Sequence, residues 1–347
     1  MTESYELEQT VQTMLPILRD HFIQIAKKNF RAKIEDFEFT ATQTTERAGV
    51  SGRVLISNVY YKTEHGENFE TIAMKFFQNT NSAITEIRNA MELEIKFRAA
   101  PEFGIPKVIF ASTKDPVLII YEGINATNYD EINIARKAWQ AGRLLATIHG
   151  GEARPVDNTL YRDLSRMIGS QLAKTGYEKV ISDGLGFFYE RIEKAYSGCD
   201  PFSDFHQSNV MIMSFDDLIG KVYIIDPEFM QKGSFDRLED VGTFFGFQLF
   251  NEFEATNRID NGIKDVNEFF SGYQSKLHEM GGLSWQQMYP NGCALPFFVA
   301  QWALMDALDM VINRGGNLNS PDAITRLNFA KYVLQLENAF QFPKSIL

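Results

Sequence analysis

Three polar side chains between residues 201 and 229 have the types and the spacing that phosphate chemistry requires. Asp204 is followed five residues later by Asn209, and Asp226 ends the second of the two apolar runs that come next. A carboxylate can orient a hydroxyl group or accept its proton. Asparagine and aspartate oxygens are hard ligands suited to Mg²⁺ that bridges phosphates. The set therefore indicates a site that orients a hydroxyl and holds magnesium against a nucleoside triphosphate.

The two apolar runs predict a β-hairpin that brings these side chains together. NVMIM and KVYIID are typical of short strands, and SFDDLIG between them is typical of a turn. A hairpin places Asn209, where the first strand starts, near Asp226, where the second strand ends. Asp204 lies on the loop that leads in. The segment with Asp204 and Asn209, or the segment with Asp226, is by itself also typical of loop-capping residues, whereas the two segments together favour a catalytic site.

A lysine within an apolar strand is the second sign of nucleotide chemistry. Lys75 lies in IAMKFF, and a buried lysine is costly unless it is paired. It predicts a cation for the α- and β-phosphates, although a strand-edge lysine that reaches solvent is the alternative. The next helix, predicted from Ser82 to about Ala100, offers Glu94 as the partner, with Glu92 as the alternative. Its apolar face is expected to carry Ile84, Ile87, Met91 and Ile95.

Two backbone segments are candidates for binding the nucleotide. The turn before the second strand carries Gly49, Ser51 and Gly52. Its N–H groups could approach phosphate oxygens, although such a sequence is also typical of an ordinary turn. The segment after LIIY consists of Glu122, Gly123 and Ile124. It would connect two lobes, and backbone groups at such a boundary commonly meet a ligand.

The order of the elements predicts an α+β fold with two lobes. A helix over about residues 4–30, five strands and one further helix fill the first part of the chain, and the rest is mainly helical. This order predicts a small N-lobe over residues 1–124, with a five-stranded antiparallel sheet, and a larger helical C-lobe over residues 125–347. Few residues separate Asp226 from the helix predicted near Asp236, which leaves little room for a protein kinase's activation segment.

Composition and charge argue against several classes of function. The 347 residues are 44% hydrophobic and 23% charged, which is typical of a globular protein. A formal net charge of −11 argues against broad binding to nucleic acids or anionic membranes. Cys199 and Cys293 lack metal-ligand spacing, which indicates thiols in a reducing compartment. The sequence has no recognisable signal peptide or membrane-spanning run, so a cytoplasmic location is expected.

Four segments in order resemble the aminoglycoside phosphotransferase/choline kinase superfamily, a branch of the protein-kinase-like fold. FSDFHQSN at residues 202–209 is similar to the family's H-G-D-x-H-x-x-N, and IDPE at 225–228 to its I-D-x-E. LATIH at 145–149 and DVG at 240–242 match two further motifs. The chain departs from the pattern at Phe202 and Ser203, where the family has histidine and glycine, and this departure puts the geometry of the loop in question.

The resemblance implies transfer of the γ-phosphate of ATP or GTP to a hydroxyl of a small molecule, with Mg²⁺. Each site residue then has an implied role. The backbone of residues 122–124 binds the purine, Lys75 held by Glu94 binds the α- and β-phosphates, Asp204 orients or deprotonates the acceptor hydroxyl, and Asn209 and Asp226 hold Mg²⁺. The alternative function is a catalytically weak nucleotide-binding regulator, a pseudokinase, which Phe202 and the weak glycine turn favour.

The sequence gives two different indications of the acceptor's chemical class. Glu228 lies beside the metal aspartate, and Trp302 shares a predicted helix face with Asp306 and Asp309. An aromatic ring with carboxylates suits an ammonium group or an aminosugar, although a core tryptophan with surface aspartates gives the same pattern. DPEF, in contrast, resembles the methylthioribose-kinase-like branch and hints at a sugar. The expected acceptor is therefore an aminoglycoside, an amino alcohol or a sugar-like molecule.

Overall fold

The strands and helices of this chain are given by a computed structural model, which describes residues 16–24, 34–40, 47–48, 52–173, 176–216, 218–312 and 317–343. The strands are β1 (Ile34–Thr40), β2 (Arg47–Ala48), β3 (Gly52–Thr63), β4 (Gly66–Phe77), β5 (Phe103–Gly104), β6 (Val108–Ser112), β7 (Leu118–Glu122), β8 (Thr127–Asn128), β9 (Gly198–Cys199), β10 (Val210–Phe215), β11 (Leu218–Ile224) and β12 (Phe235–Asp236).

The helices are longer and more numerous towards the end of the chain. They are α1 (residues 16–24), α2 (Thr80–Phe97), α3 (Lys137–His149), α4 (Thr159–Leu172), α5 (Glu178–Glu193), α6 (Arg237–Thr256), α7 (Asp260–Glu279), α8 (Trp285–Met288), α9 (Leu295–Ile312) and α10 (Pro321–Leu334). The predicted α+β class is therefore confirmed. Contacts divide the chain into a first unit, residues 1–92 with 105–126, and a second unit, residues 93–104 with 127–347.

The first unit is built on an antiparallel sheet in the order β1-β3-β4-β7-β6, with β2 paired to β3. The sheet has six strands instead of the predicted five because the two-residue β2 pairs with the start of β3. Side chains alternate between its faces. Leu118 and Ile120 of β7 pack with Leu18 and Phe22 of α1 on one face. Ile119, also of β7, packs on the other face against the start of α2.

The second unit is organised around helices whose backbones approach closely. Gly142 of α3 lies against the carbonyl of Phe269, and Gly272 of α7 lies against the carbonyl of Trp139. A Cβ atom at either glycine would overlap that carbonyl, so glycine is required for α3 and α7 to pack at this distance. Among the described residues, no helix combines the length and apolar character needed to cross a bilayer.

A small four-stranded sheet in the second unit presents the residues of chemical interest. Its order is β5-β11-β10-β8. β10 and β11 form an antiparallel hairpin, which confirms the hairpin predicted from NVMIM and KVYIID. The short strand β5 pairs in parallel with β11 and was not expected. The hairpin is thus held on both sides, and its open end is positioned by the sheet and not by the turn alone.

Candidate active-site residues

Lys75 is buried in the first unit and paired with a glutamate, as its apolar surroundings require. The residue is 5% exposed, and its Nζ lies 2.6 Å from Oε2 of Glu86. The hydroxyl of Tyr121, on the neighbouring strand β7, donates to the other oxygen of Glu86. Glu86 itself is 1% exposed. The predicted ion pair of Lys75 with a helix glutamate therefore exists, and two groups from the sheet hold its carboxylate.

The glutamate is not the one that the sequence predicts, because α2 turns a different face inward. Glu94 is exposed and Glu92 is half-buried. The expected apolar face is largely outside: Ile84, Met91 and Ile95 are 49%, 60% and 62% exposed. The buried positions of α2 are Ala83, Glu86, Asn89, Ala90, Leu93 and Phe97.

The inward face of α2 combines a small apolar residue with a compensated charge. Ala83 is fully buried and packs with Phe77, Ile119 and Tyr121. The charge of Glu86 is compensated by Lys75, so its burial is tolerated. The signal in the sequence was the 3-4-3-4 spacing of positions 83, 86, 90, 93 and 97, which the larger exposed residues obscured.

The predicted nucleotide-binding backbone is only partly described. Gly49 and Ser51 lie outside the described residues, and Gly52 begins β3, where it pairs with Phe77. In the connecting segment, the N–H of Glu122 donates to the carbonyl of Lys107 over 2.8 Å, and the N–H of Gly123 donates to the carbonyl of Thr71 over 2.6 Å. The backbone of Ile124 is then the better candidate for contact with a base.

The side chain of Glu122 also has partners inside the first unit. Its carboxylate lies 3.6 Å from Nε2 of His21 and 3.6 Å from Nζ of Lys107. The nearby His21 and Lys107 lower the pKa of this carboxyl despite partial burial. The side chain is therefore accounted for by these contacts, and only the backbone of the segment is a candidate for ligand binding.

In the second unit, Asp204 and Asn209 are joined directly. Nδ2 of Asn209 donates to the carbonyl oxygen of Asp204 over 3.0 Å and to its carboxylate over 3.3 Å. The side chain of Asp204 is 31% exposed, and Nε2 of His206 lies 3.5 Å from its carboxylate. Because Nδ2 of Asn209 donates to Asp204, Oδ1 is the side-chain atom of Asn209 that could bind a cation. Asp204 remains open to an approaching hydroxyl.

Asp226 follows β11 at the same end of the hairpin. Val210 pairs with Ile224, and the N–H of Ile225 donates to the carbonyl of Asn209 over 2.9 Å, so Asn209 and Asp226 flank the open end as predicted. Asp226 has a φ of 59°, in the left-handed region that costs a non-glycine residue free energy. Glu228, two residues later, is buried. Two carboxylates and an amide oxygen are a donor set that fits Mg²⁺.

Asp240 of α6 holds the loop that carries Asp204 by accepting hydrogen bonds from its backbone. Its carboxylate accepts the N–H of Phe202 over 2.7 Å and the N–H of Ser203 over 2.8 Å. Ser203 has a φ of 68°, where a glycine would be unstrained. The side chain of Phe202 is fully buried and contacts Phe205 with ring centres 6.0 Å apart. The departures from the family motif are therefore accommodated by backbone hydrogen bonds and aromatic packing.

A buried chain of hydrogen bonds supports Asp240 in turn. Arg237 donates to the hydroxyl oxygen of Tyr273 over 2.9 Å, so the Tyr273 proton is directed to Nδ1 of His149, 2.7 Å away. His149 then carries its proton on Nε2, which lies 2.8 Å from Asp240. Burial lowers the pKa of His149 although Asp240 opposes the shift. His149 is thus a neutral structural residue, and sequence reasoning did not identify Arg237 or Tyr273.

The aromatic and acidic acceptor candidates of α9 are engaged within the helical core. A Cβ atom at Gly246 would overlap the ring of Trp302, which also contacts Phe250 with ring centres 6.2 Å apart. The carboxylate of Asp306 is bonded to Arg326 of α10. These contacts account for Trp302 and Asp306 by packing and an ion pair, and their part in binding the acceptor stays a prediction.

No family model and no curated protein matches the chain. Among solved structures, the choline kinase LicA from Streptococcus pneumoniae is 15% identical, with 92% of this chain and 99% of that chain covered and a TM-score of 0.47. Spectinomycin phosphotransferase APH(9)-Ia, solved with ADP and spectinomycin, is 16% identical, with 90% and 98% covered and a TM-score of 0.43. The likeness is distant, and the proposals below rest on residues of this chain.

Proposed function

We propose that this protein transfers the γ-phosphate of ATP to a hydroxyl group of a small molecule, with Mg²⁺ as the metal. The observation that carries the proposal is the arrangement of Asp204, Asn209 and Asp226 around one end of the β10–β11 hairpin, with Asn209 bonded to Asp204. Phosphoryl transfer needs a positioned hydroxyl and charge neutralisation more than covalent chemistry, and this set offers groups for both.

The residues of the second unit would act on the hydroxyl and the metal. Asp204 would accept the proton of the acceptor's hydroxyl group. The hydroxyl oxygen of the acceptor would bond to the γ-phosphorus, and the bond from that phosphorus to the β-phosphate oxygen would break, which releases ADP. Oδ1 of Asn209 and the carboxylate of Asp226 would hold Mg²⁺, and Glu228 lies near enough in sequence to Asp226 to assist. The metal would neutralise phosphate charge.

The buried pair of the first unit would act on the nucleotide. Lys75, oriented by Glu86, would hold the α- and β-phosphates. This role gives a reason for a buried lysine, which packing alone does not explain. Glu86 replaces Glu94 in this role because Glu86 is paired with Lys75, whereas Glu94 is exposed. The backbone of Ile124 would contact the purine, and GTP is the alternative nucleotide. The protein is proposed to be cytoplasmic.

The experiment is ADP release with Mg²⁺ and ATP across a panel of amines, sugars and nucleosides. We expect Asp204→Asn to lower kcat by about 10²- to 10⁴-fold, the usual contribution of proton transfer, with an unchanged Kd for ATP. Asp216→Asn is the matched control, because Asp216 is exposed in the turn of the same hairpin and has a φ of 47°, which asparagine tolerates.

Two results would contradict the proposal. ADP release that is the same in Asp204→Asn and wild type would remove Asp204 from the chemistry. Tight ATP binding with no acceptor-dependent turnover across the panel would favour the nucleotide-binding regulator. The support that Asp240 gives to the loop weakens that alternative, because the departures at Phe202 and Ser203 were its main basis.

A further inference from the structure

Tyr121 of β7 lies on the face of the first unit's sheet that carries Lys75. In the antiparallel pairing of β4 and β7, Tyr121 lies opposite Ala73. Lys75 lies opposite Ile119, two positions further along the same pair of strands. Residues opposite each other in such a pair point to the same face, and so do residues two positions apart on one strand. Lys75 and Tyr121 are therefore diagonal neighbours on the face against which the start of α2 packs.

The side chain of Tyr121 is buried in this position and directs its hydroxyl to Glu86. The residue is 8% exposed, and its ring packs with Ala83 and Ile119. Its hydroxyl donates to Oε1 of Glu86, whereas Nζ of Lys75 donates to Oε2 of the same carboxylate over 2.6 Å. Each oxygen of Glu86 thus accepts a hydrogen bond from a different strand of the sheet.

Two donors on one carboxylate restrict its orientation more than one donor does. With a single hydrogen bond the carboxylate can still turn about its last torsion, which has only a broad preference in glutamate. A second hydrogen bond to the other oxygen removes that freedom. Because Glu86 is 1% exposed, little water is available to replace a lost donor. The hydroxyl of Tyr121 therefore sets the orientation of the carboxylate that meets Lys75.

The orientation of Glu86 in turn determines where the charge of Lys75 is held. Besides its contact with Glu86, Nζ of Lys75 lies 5.0 Å from the centre of the Phe77 ring, whose face attracts a cation. A lysine has a long and flexible stem, so a lysine that is fixed before its ligand arrives loses less conformational entropy on binding. The ammonium group of Lys75 is thus positioned in advance of any ligand.

We propose that Tyr121 is a positioning residue for the phosphates of the nucleotide. Its hydroxyl fixes Glu86, and Glu86 fixes Lys75 where the α- and β-phosphates bind. The inference rests on the proposed function, since it adds a residue to the binding of that same nucleotide. Because Tyr121 acts through Glu86 and Lys75, its hydroxyl affects only ligands that carry phosphate. A nucleoside without phosphate is bound equally well with and without it.

Removal of the hydroxyl alone tests this sequence of contacts. Tyr121→Phe keeps the packed ring and removes only the donor to Glu86. Titration calorimetry of the full chain gives the Kd for ADP with Mg²⁺ and the Kd for adenosine. Tyr121→Phe is expected to weaken binding of ADP about tenfold, the order of one hydrogen bond to a charged group, and to leave the Kd for adenosine unchanged. The ratio of the two Kd values is insensitive to a general loss of stability, because both ligands require the folded first unit.

Tyr61→Phe is the matched control, because it removes the same atom from a tyrosine on the opposite face of the same sheet. Tyr61 is fully buried and packs with Phe22 of α1. The ratio of the Kd for ADP to the Kd for adenosine is expected to stay at the wild-type value in this variant. The proposal is overturned if Tyr121→Phe leaves that ratio unchanged, since the hydroxyl is then merely structural, or if both variants change it equally.

A combined variant tests whether Tyr121 acts through the ion pair. In the Lys75→Met/Glu86→Gln protein no charged pair remains to be oriented. Adding Tyr121→Phe to that protein is therefore expected to leave its Kd for ADP unchanged, whereas the same change in the wild type costs about tenfold. A further tenfold loss in the combined variant means that the hydroxyl acts on the nucleotide by another route, and it overturns the assignment.

Turnover separates this inference from the proposed function. Tyr121→Phe is expected to raise KM for ATP with an unchanged KM for the acceptor. The expected change in the Kd for ADP, without any acceptor-dependent phosphate transfer by the wild type, would sink the proposed function and leave the role of Tyr121 standing. Phosphate transfer with the same KM for ATP in the wild type and in Tyr121→Phe would sink the role of Tyr121 and leave the kinase.

Discussion

Replacing Glu86 with glutamine is the sharpest test of how the first unit holds Lys75. The side chains of Lys75 and Glu86 are 7% and 1% exposed, and they lie 2.6 Å apart. Removal of one partner from such a buried pair destabilises a protein by about 3–5 kcal/mol, because the remaining charge stays buried without the partner that compensated it. Glu86→Gln keeps the size of the side chain and an oxygen for Tyr121. The expected loss therefore comes from the charge of Lys75.

Hydrogen exchange of the backbone amides in β4 and α2 measures this loss locally, since it reports the opening free energy of each segment. Glu94→Gln is the matched control, because Glu94 lies on the same helix and is exposed. An exposed substitution of this kind changes stability by about 0.5 kcal/mol or less. The opening free energy should therefore fall only in Glu86→Gln, and the Kd for ATP should rise only in that variant.

The double variant Lys75→Met/Glu86→Gln decides whether the charge of Lys75 is the cause. With no charge left to bury, most of the lost stability should return, while the affinity for ATP should not. The reasoning is refuted if Glu94→Gln destabilises β4 and α2 as much as Glu86→Gln does. It is also refuted if the double variant is as unstable as Glu86→Gln alone.

Three further predictions concern the second unit. Ser203→Gly should raise the free energy of unfolding by about 0.5–1 kcal/mol in denaturant titrations, because it relieves a φ of 68°; a loss would contradict the strain. Burial raises the pKa of Glu239 from 4.5 to about 7, so the folded state holds a proton that the unfolded state has released, and stability should fall as pH rises from about 4.5 to 7. Glu239→Gln should flatten that part of the pH–stability curve; an unchanged slope would assign it to other groups. Gly272→Ala should lower Tm, since overpacking costs about 1–3 kcal/mol, whereas Gly186→Ala on α5, with open space around it, should not.

The local part of the site could be predicted from the sequence because it depends on short separations along the chain. Asp204 and Asn209 are five residues apart on one loop, and the hairpin that brings Asp226 back to Asn209 is encoded by two apolar runs and a turn. A lysine within an apolar strand needs a counter-charge wherever it is buried. Those statements hold for any arrangement of the distant helices, and the structure confirms the hairpin and the burial of Lys75.

The partners of these residues were decided only by tertiary packing. Which face of α2 turns inward depends on its packing in the folded protein, where Ala83 and Glu86 are buried and Glu94 is exposed, so Glu86 and not Glu94 meets Lys75. Asp240 lies 38 residues beyond Phe202, yet it binds the backbone that carries Asp204. Periodicity says which residues share a face, but burial and charge compensation between distant segments determine which face is inside and what each charge meets.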